Sequence, residues 1–140
     1  MDYSDVLLHI DGAWTGAAAG KTLPVMNPAT GEANGTVAHA ERADLDRALA
    51  ATGRGFATWR RMSAYDRSKV MRRAADLLRS RVDEIAPLMT MEQGKPLAEA
   101  RGETVAGADI IDWFAEEAGR TYGRAASVSA TRATSSSRRC

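Results

Sequence analysis

Residues 88–103 read Leu88-Met-Thr-Met-Glu-Gln-Gly-Lys-Pro-Leu-Ala-Glu-Ala-Arg-Gly-Glu103, and the fold turns on how this stretch divides. Gly94 can adopt the left-handed conformation that closes a helix, because it has no Cβ to clash with the following carbonyl. Pro96 lacks an N–H and has its φ pre-set, and both properties suit the first turn of a helix. The stretch therefore predicts a helix ending near Gln93, a corner at Lys95 and a longer helix starting near Pro96.

Upstream of the corner, apolar residues recur at helical spacing. Val82, Ile85, Leu88 and Met89 define the inward face of a helix over 82–93, with Pro87 expected to kink it or shift its start. Before it, Ser63-Ala-Tyr-Asp66 resembles a capping box with Asp in place of Glu. Val70, Met71, Ala74, Leu77 and Leu78 then form one buried stripe. The opposite face carries Arg67, Arg72, Arg73, Asp76 and Arg79, which reads as a solvated face in preference to a phosphate site. A further helix over 41–59 carries Leu45, Leu49, Phe56 and Trp59 in register, with the acids Glu41, Asp44 and Asp46 at its positive end. Gly53 and Gly55 weaken its middle and suggest close backbone approach.

Downstream, the helix from Pro96 to about Tyr122 takes Ile110, Ile111, Phe114, Ala118 and Tyr122 as its stripe. Gly102 and Gly107 are its sites of tight packing, and Glu116 with Arg120 forms an i, i+4 pair.

The first forty residues read differently. Residues 7–15 read as one short strand containing an Asp11-Gly12 turn signal, with Leu8, Ile10 and Trp14 on its apolar side. Residues 16–20 are small and flexible. Residues 22–26 form a second strand, placed at an edge because Pro24 removes a ladder donor. Asn27-Pro-Ala-Thr-Gly-Glu32 is a turn, and residues 35–38 are the returning strand. Strands followed by four helical segments are not the alternating pattern of a complete doubly wound domain.

Composition bounds the function. A chain of 140 residues with 44% hydrophobic and 26% charged residues suits one globular domain. One cysteine excludes a disulfide scaffold. The start has no basic n-region, and the apolar run over 6–10 is too short for a signal peptide or a membrane span, so the expected location is the cytoplasm. The net charge of +1 hides an asymmetry: residues 1–123 carry 15 basic and 18 acidic side chains. A mildly acidic body argues against nucleic-acid binding.

No catalytic, cofactor-binding or metal-ligating residue is assigned. Cys140 is the last residue, in a Ser/Arg tail that supplies no base. His9 alternates with the apolar strand residues and faces solvent or a loop, and His39 is a solvated loop residue. Glu92, Glu99 and Glu103 near the Gly-Lys-Pro corner read as surface helix acids. No glycine-rich phosphate loop follows a strand, and no metal-ligand spacing occurs.

Four pieces in order carry a resemblance: Ile10-Asp-Gly-Ala-Trp14, Asn27-Pro-Ala-Thr-Gly-Glu32, Glu92-Gln-Gly-Lys-Pro-Leu-Ala-Glu-Ala100, and Trp113-Phe-Ala-Glu-Glu117 with Tyr122-Gly123. Together they resemble the N-terminal part of the NAD(P)-dependent aldehyde dehydrogenases, closest to the succinate-semialdehyde branch. The resemblance implies the N-terminal piece of that α/β fold, short strands followed by four helical segments, as an incomplete domain. It implies NAD or NADP chemistry and homo-oligomeric assembly for a full-length relative. The family's cysteine nucleophile, glutamate base, asparagine oxyanion donor and cofactor-binding lysine and glycines have no counterparts here. This chain alone is therefore expected to be inactive and to bind neither NAD nor NADP. Its helical stripes are expected to leave apolar surface exposed, favouring aggregation or loose packing. The alternative to an inactive truncated relative is a non-catalytic interaction module whose partner is a full-length aldehyde dehydrogenase subunit; no nucleic acid, membrane or metal is expected.

The resemblance runs from about Leu8 to Gly123, and residues 1–123 are taken as one N-terminal segment of the aldehyde dehydrogenase-like domain. Residues 124–140 change character: Ala, Ser, Thr and Arg make up 15 of the 17. With no apolar stripe to bury, they are expected to be disordered. The composition also fits an out-of-frame reading of G/C-rich DNA beginning after Gly123, with a native flexible tail as the alternative. Downstream DNA that resumes the family pattern in another frame would support the first.

Overall fold

The computed structural model describes residues 3–120. In chain order these form β1 (Leu8–Ile10), β2 (Ala13–Thr15), β3 (Thr22–Met26), β4 (Ala33–Ala38), α1 (Arg42–Trp59), α2 (Ala64–Ser80), α3 (Val82–Gln93) and α4 (Leu97–Glu117). A 3-10 turn, Ala118–Arg120, follows. Tyr122, Cys140 and the tail expected to be disordered lie outside the described residues.

The single strand expected over 7–15 is instead a hairpin. Asp11 and Gly12 both have positive φ, 56° and 80°, which reverses the chain in two residues and pairs β1 with β2. His9 sits opposite Trp14, with ring centroids 4.8 Å apart. β3 and β4 form a second antiparallel pair with an irregularity between Val25 and Met26. Their connection is the expected turn: the Asn27 side chain accepts the Ala29 N–H at 2.9 Å, and Gly31 has φ 75°. Val6 bridges β4 in parallel, donating to the Thr36 carbonyl at 2.7 Å and accepting from Ala38 N–H at 2.8 Å.

Helices α2, α3 and α4 pack on one another, whereas the main neighbour of α1 is β1. The core is made of small residues. Ala75 of α2, Ala86 of α3, and Ala100, Ala108 and Ala115 of α4 are buried, with Thr104 beside them. This corrects the stripes drawn from periodicity. In α4, Ile110 and Phe114 are exposed, and only Ile111 and Ala118 of the expected stripe are half-buried. In α2 the buried position is Ala75, flanked by Met71 and Leu78, while Val70, Ala74 and Leu77 are exposed. Leu45, Leu49 and Phe56 of α1 are exposed too. The reason is geometric. α4 is apolar on two faces, and side chains as small as Ala and Thr let its axis approach α2 and α3 on one of them. The larger residues occupy the other face, which has no partner among the described residues.

The polar expectations shift in the same way. Arg79 donates to Asp109 and Asp112 of α4 at 2.7 Å each, and Arg72 pairs with Glu116 at 3.1 Å. These two arginines link α2 to α4: Arg72 does so from the solvated face expected for it, and Arg79 is half-buried. Glu116 is thus engaged across the helices, and Arg120 pairs with Glu117 at 3.0 Å, not with Glu116. Ser63 caps α2 by accepting the Asp66 N–H at 3.0 Å, but the Asp66 carboxylate accepts the Ser63 hydroxyl at 2.6 Å. α3 continues through Pro87. Nothing lies within 4 Å of where a Cβ would stand at Gly53, Gly55 or Gly102, so the tight packing expected there is absent. At Gly107 a Cβ would meet Leu78 at an ordinary 3.7 Å.

The Gly94 corner is as expected. Gly94 has φ 73° and donates to the Thr90 carbonyl at 2.8 Å, and Pro96 is the N-cap of α4, one position earlier than expected. A Cβ at Gly94 would also stand 2.9 Å from the Pro28 ring. Gly94→Ala is therefore expected to cost about 1–2 kcal/mol from the left-handed backbone alone. Urea unfolding measures this, and an unchanged midpoint would show that the corner relaxes freely.

Candidate functional site

The corner at residues 91–96 is where the β3–β4 hairpin is fastened to the helices. Asn34 donates to the Met91 carbonyl at 3.0 Å. The Tyr3 hydroxyl donates to Glu92 at 2.5 Å. Burial, and then the Glu92 carboxylate that accepts its proton, push the Tyr3 phenol up to about 12. Lys95 pairs with Glu103. Two of the three acids noted near this corner thus hold structure together, and Glu99 is exposed on the first turn of α4. Tyr3 was not singled out in the sequence, since nothing local links it to a residue so far along the chain.

A second fastening point lies at the start of α1. Asp44 is 1% exposed. Its carboxylate accepts the Glu41 N–H at 3.1 Å, the Ala18 N–H at 3.0 Å and the Arg47 guanidinium at 2.6 Å. The segment 16–20, expected to be flexible, is held by this contact and by the Gly20 N–H donating to the Ala17 carbonyl at 2.8 Å. The signal available in the sequence was an acid three residues after Glu41, a shortened form of the capping box.

Among the described residues neither histidine has a partner suited to catalysis. His9 is exposed and tilted against Trp14. His39 is exposed, and its backbone N–H donates to the Lys21 carbonyl. Among the described residues no group of three or more His, Cys, Asp or Glu could hold a metal. No described helix is long and apolar enough to cross a membrane.

The N-terminus of a helix presents N–H groups that favour negative charge. Here the first turns are acidic: Asp44 in α1, Asp66 in α2, Asp83 and Glu84 in α3, and Glu99 in α4. Acids in the first turn complement the positive end of each helix. What remains is apolar surface. Leu45, Leu49 and Phe56 on α1, and Ile110, Trp113 and Phe114 on α4, are each more than half exposed. Faces of this kind are suited to burial against further protein.

Comparison with known proteins places this architecture. The chain matches the aldehyde dehydrogenase family over residues 14–140. It belongs to the aldehyde dehydrogenase family. It is 46% identical over 115 residues to glutarate-semialdehyde dehydrogenase of Pseudomonas aeruginosa, covering 82% of this chain and 24% of the relative. It is 46% identical over 114 residues to mitochondrial succinate-semialdehyde dehydrogenase of Arabidopsis thaliana, covering 81% and 22%. Among solved structures it is similar to succinate-semialdehyde dehydrogenase from Burkholderia pseudomallei, with TM-score 0.82, 42% identity, and coverage of 85% of this chain and 25% of that one. It is also similar to PnpE in complex with nicotinamide adenine dinucleotide, with TM-score 0.84 and 32% identity over 89% of this chain and 26% of that one. The chain thus spans about a quarter of the length of the aldehyde dehydrogenases it matches, and its strands and helices are those of their N-terminal part.

Proposed function

We propose that this chain is the N-terminal scaffold of an enzyme that oxidises a semialdehyde to the corresponding dicarboxylic acid with NAD or NADP, in the cytoplasm. The observation that carries the reading is the identity to semialdehyde dehydrogenases across four-fifths of the chain. On this reading its described residues supply no reacting group. The described histidines are solvent-exposed, and the described acids are exposed or paired within the fold, as Asp44 is with Arg47 and Asp112 with Arg79. The role assigned to this segment is to set the hairpins and helices on which further protein is laid.

The test is direct. The purified 140-residue chain is mixed with glutarate or succinate semialdehyde and either nicotinamide cofactor, and reduction is followed by absorbance. No turnover is expected. Turnover that survives Cys140→Ser and repurification would reject the reading. The exposed rows on α1 and α4 favour a second role, a non-catalytic module that docks on a full-length aldehyde dehydrogenase subunit. Co-purification of a tagged chain with such a subunit tests it.

A further inference from the structure

Charge is segregated along this chain. Residues 54–73 hold seven basic side chains and a single acid, Asp66, within a body of 15 basic and 18 acidic residues. The net charge of the body averages over this segment and conceals it.

The structure sorts the seven. Arg54 donates to Asp11 at 2.7 Å, Arg67 to the Met62 carbonyl at 3.3 Å, and Arg72 to Glu116 at 3.1 Å. Arg60, Arg61, Lys69 and Arg73 are exposed and have no acidic partner among the described residues. Two of them lie over aromatic rings. The Arg60 guanidinium is 5.7 Å from the Phe56 centroid, and the Lys69 ammonium is 4.1 Å from the Tyr65 centroid. Those rings are themselves 61% and 70% exposed. Asp66, the one acid, accepts the Ser63 hydroxyl. Tyr65, Lys69 and Arg73 follow one another at four-residue spacing on α2, about 6 Å apart along the axis.

From these two ring–cation pairs, one at the end of α1 and one on the first turns of α2, we infer that the segment running from the end of α1 into α2 binds single-stranded nucleic acid. Unpaired cations neutralise the phosphates, and exposed rings offer faces on which bases stack regardless of sequence. A ring beside a cation, twice over, matches that pairing of charge and stacking. The part of the inference that the dehydrogenase reading leaves free is the Tyr65, Lys69 and Arg73 row of α2, which lies outside the apolar rows of α1 and α4.

The test is fluorescence anisotropy with a labelled oligodeoxythymidylate and the 140-residue chain, at about 50 mM and about 200 mM salt. Saturable binding that weakens at the higher salt is expected. Lys69→Glu combined with Arg73→Glu should weaken it by at least about tenfold. Tyr65→Ala should weaken it by about fivefold or more with the salt slope unchanged. Lys69→Arg combined with Arg73→Lys should retain it, which separates charge from folding. The inference is overturned by any of four results: no binding at the lower salt, equal affinity in the Glu and Ala variants, loss in the charge-preserving variant, or capture on phosphatidylserine vesicles without oligonucleotide binding.

Discussion

Ala108→Leu is expected to push α4 away from the helices it packs against and to abolish or sharply lower the cooperative thermal transition. Ala108 is fully buried, and the residues that share its face, Ala100, Thr104 and Ala115, are small and buried as well. Extra methylenes in such a seam force backbone shifts costing about 1–3 kcal/mol. In a unit of this size that lowers the midpoint by about 5–20 °C. Ile110→Ala and Phe114→Ala are the controls. Both residues are 58% exposed, so each truncation should move the midpoint far less than Ala108→Leu. The reverse order, with Ala108→Leu tolerated and Phe114→Ala damaging, would restore the stripe drawn from periodicity and reject the small-residue seam.

Asp44→Ala is expected to release the segment before β3 and fray the start of α1 together. Three donors lose their acceptor at once: the N–H groups of Ala18 and Glu41, and the Arg47 guanidinium. Amide exchange at Ala18 and Glu41 should accelerate by more than about tenfold. Exchange unchanged at Ala18 would show that the loop holds itself. The same contact predicts a pH dependence. The Glu41 N–H first, then Arg47 and the Ala18 N–H, hold the Asp44 carboxyl below its ordinary 3.8, against the opposing effect of burial. A carboxyl depressed in the folded state contributes stability that is fully present above 3.8 and is lost as pH falls through its folded value. Protection at Ala18 should therefore be flat above that pH, fall below it in the native chain, and show no such step in Asp44→Asn.

Much of the architecture was legible because it rests on local chemistry. Gly94 closes α3 in the left-handed conformation, and Asn27 and Gly31 make the β3–β4 turn, since each of these depends on one residue's own backbone freedom or side chain. The extent of α1 followed from apolar spacing, which places like residues on one side of a helix without any partner present. The β1–β2 hairpin was half visible: the Asp11-Gly12 signal was there, but the strands on either side are only three residues each, too short for alternation to separate them.

The candidate surfaces were less legible. Seven basic residues across 54–73 can be counted from the sequence, but not which of them are neutralised. Arg72 finds Glu116 and Arg54 finds Asp11, more than forty residues away in each case, leaving Arg60, Arg61, Lys69 and Arg73 exposed. No local rule assigns those pairs.

By itself, the sequence of this aldehyde dehydrogenase segment determined the order of its elements, the positions of its turns and caps, and its family, because each is written in short spacings and in motifs quoted residue by residue. Periodicity placed Val82, Ile85, Leu88 and Met89 on the half-buried side of α3, but only the tertiary structure decided which face of α4 is buried. α4 presents apolar residues on two sides, and the choice between them rests on how closely helix axes approach. That approach is set by Ala75, Ala86, Ala100 and Ala108, which are small enough to let neighbouring backbones come together, while larger residues keep the opposite side open.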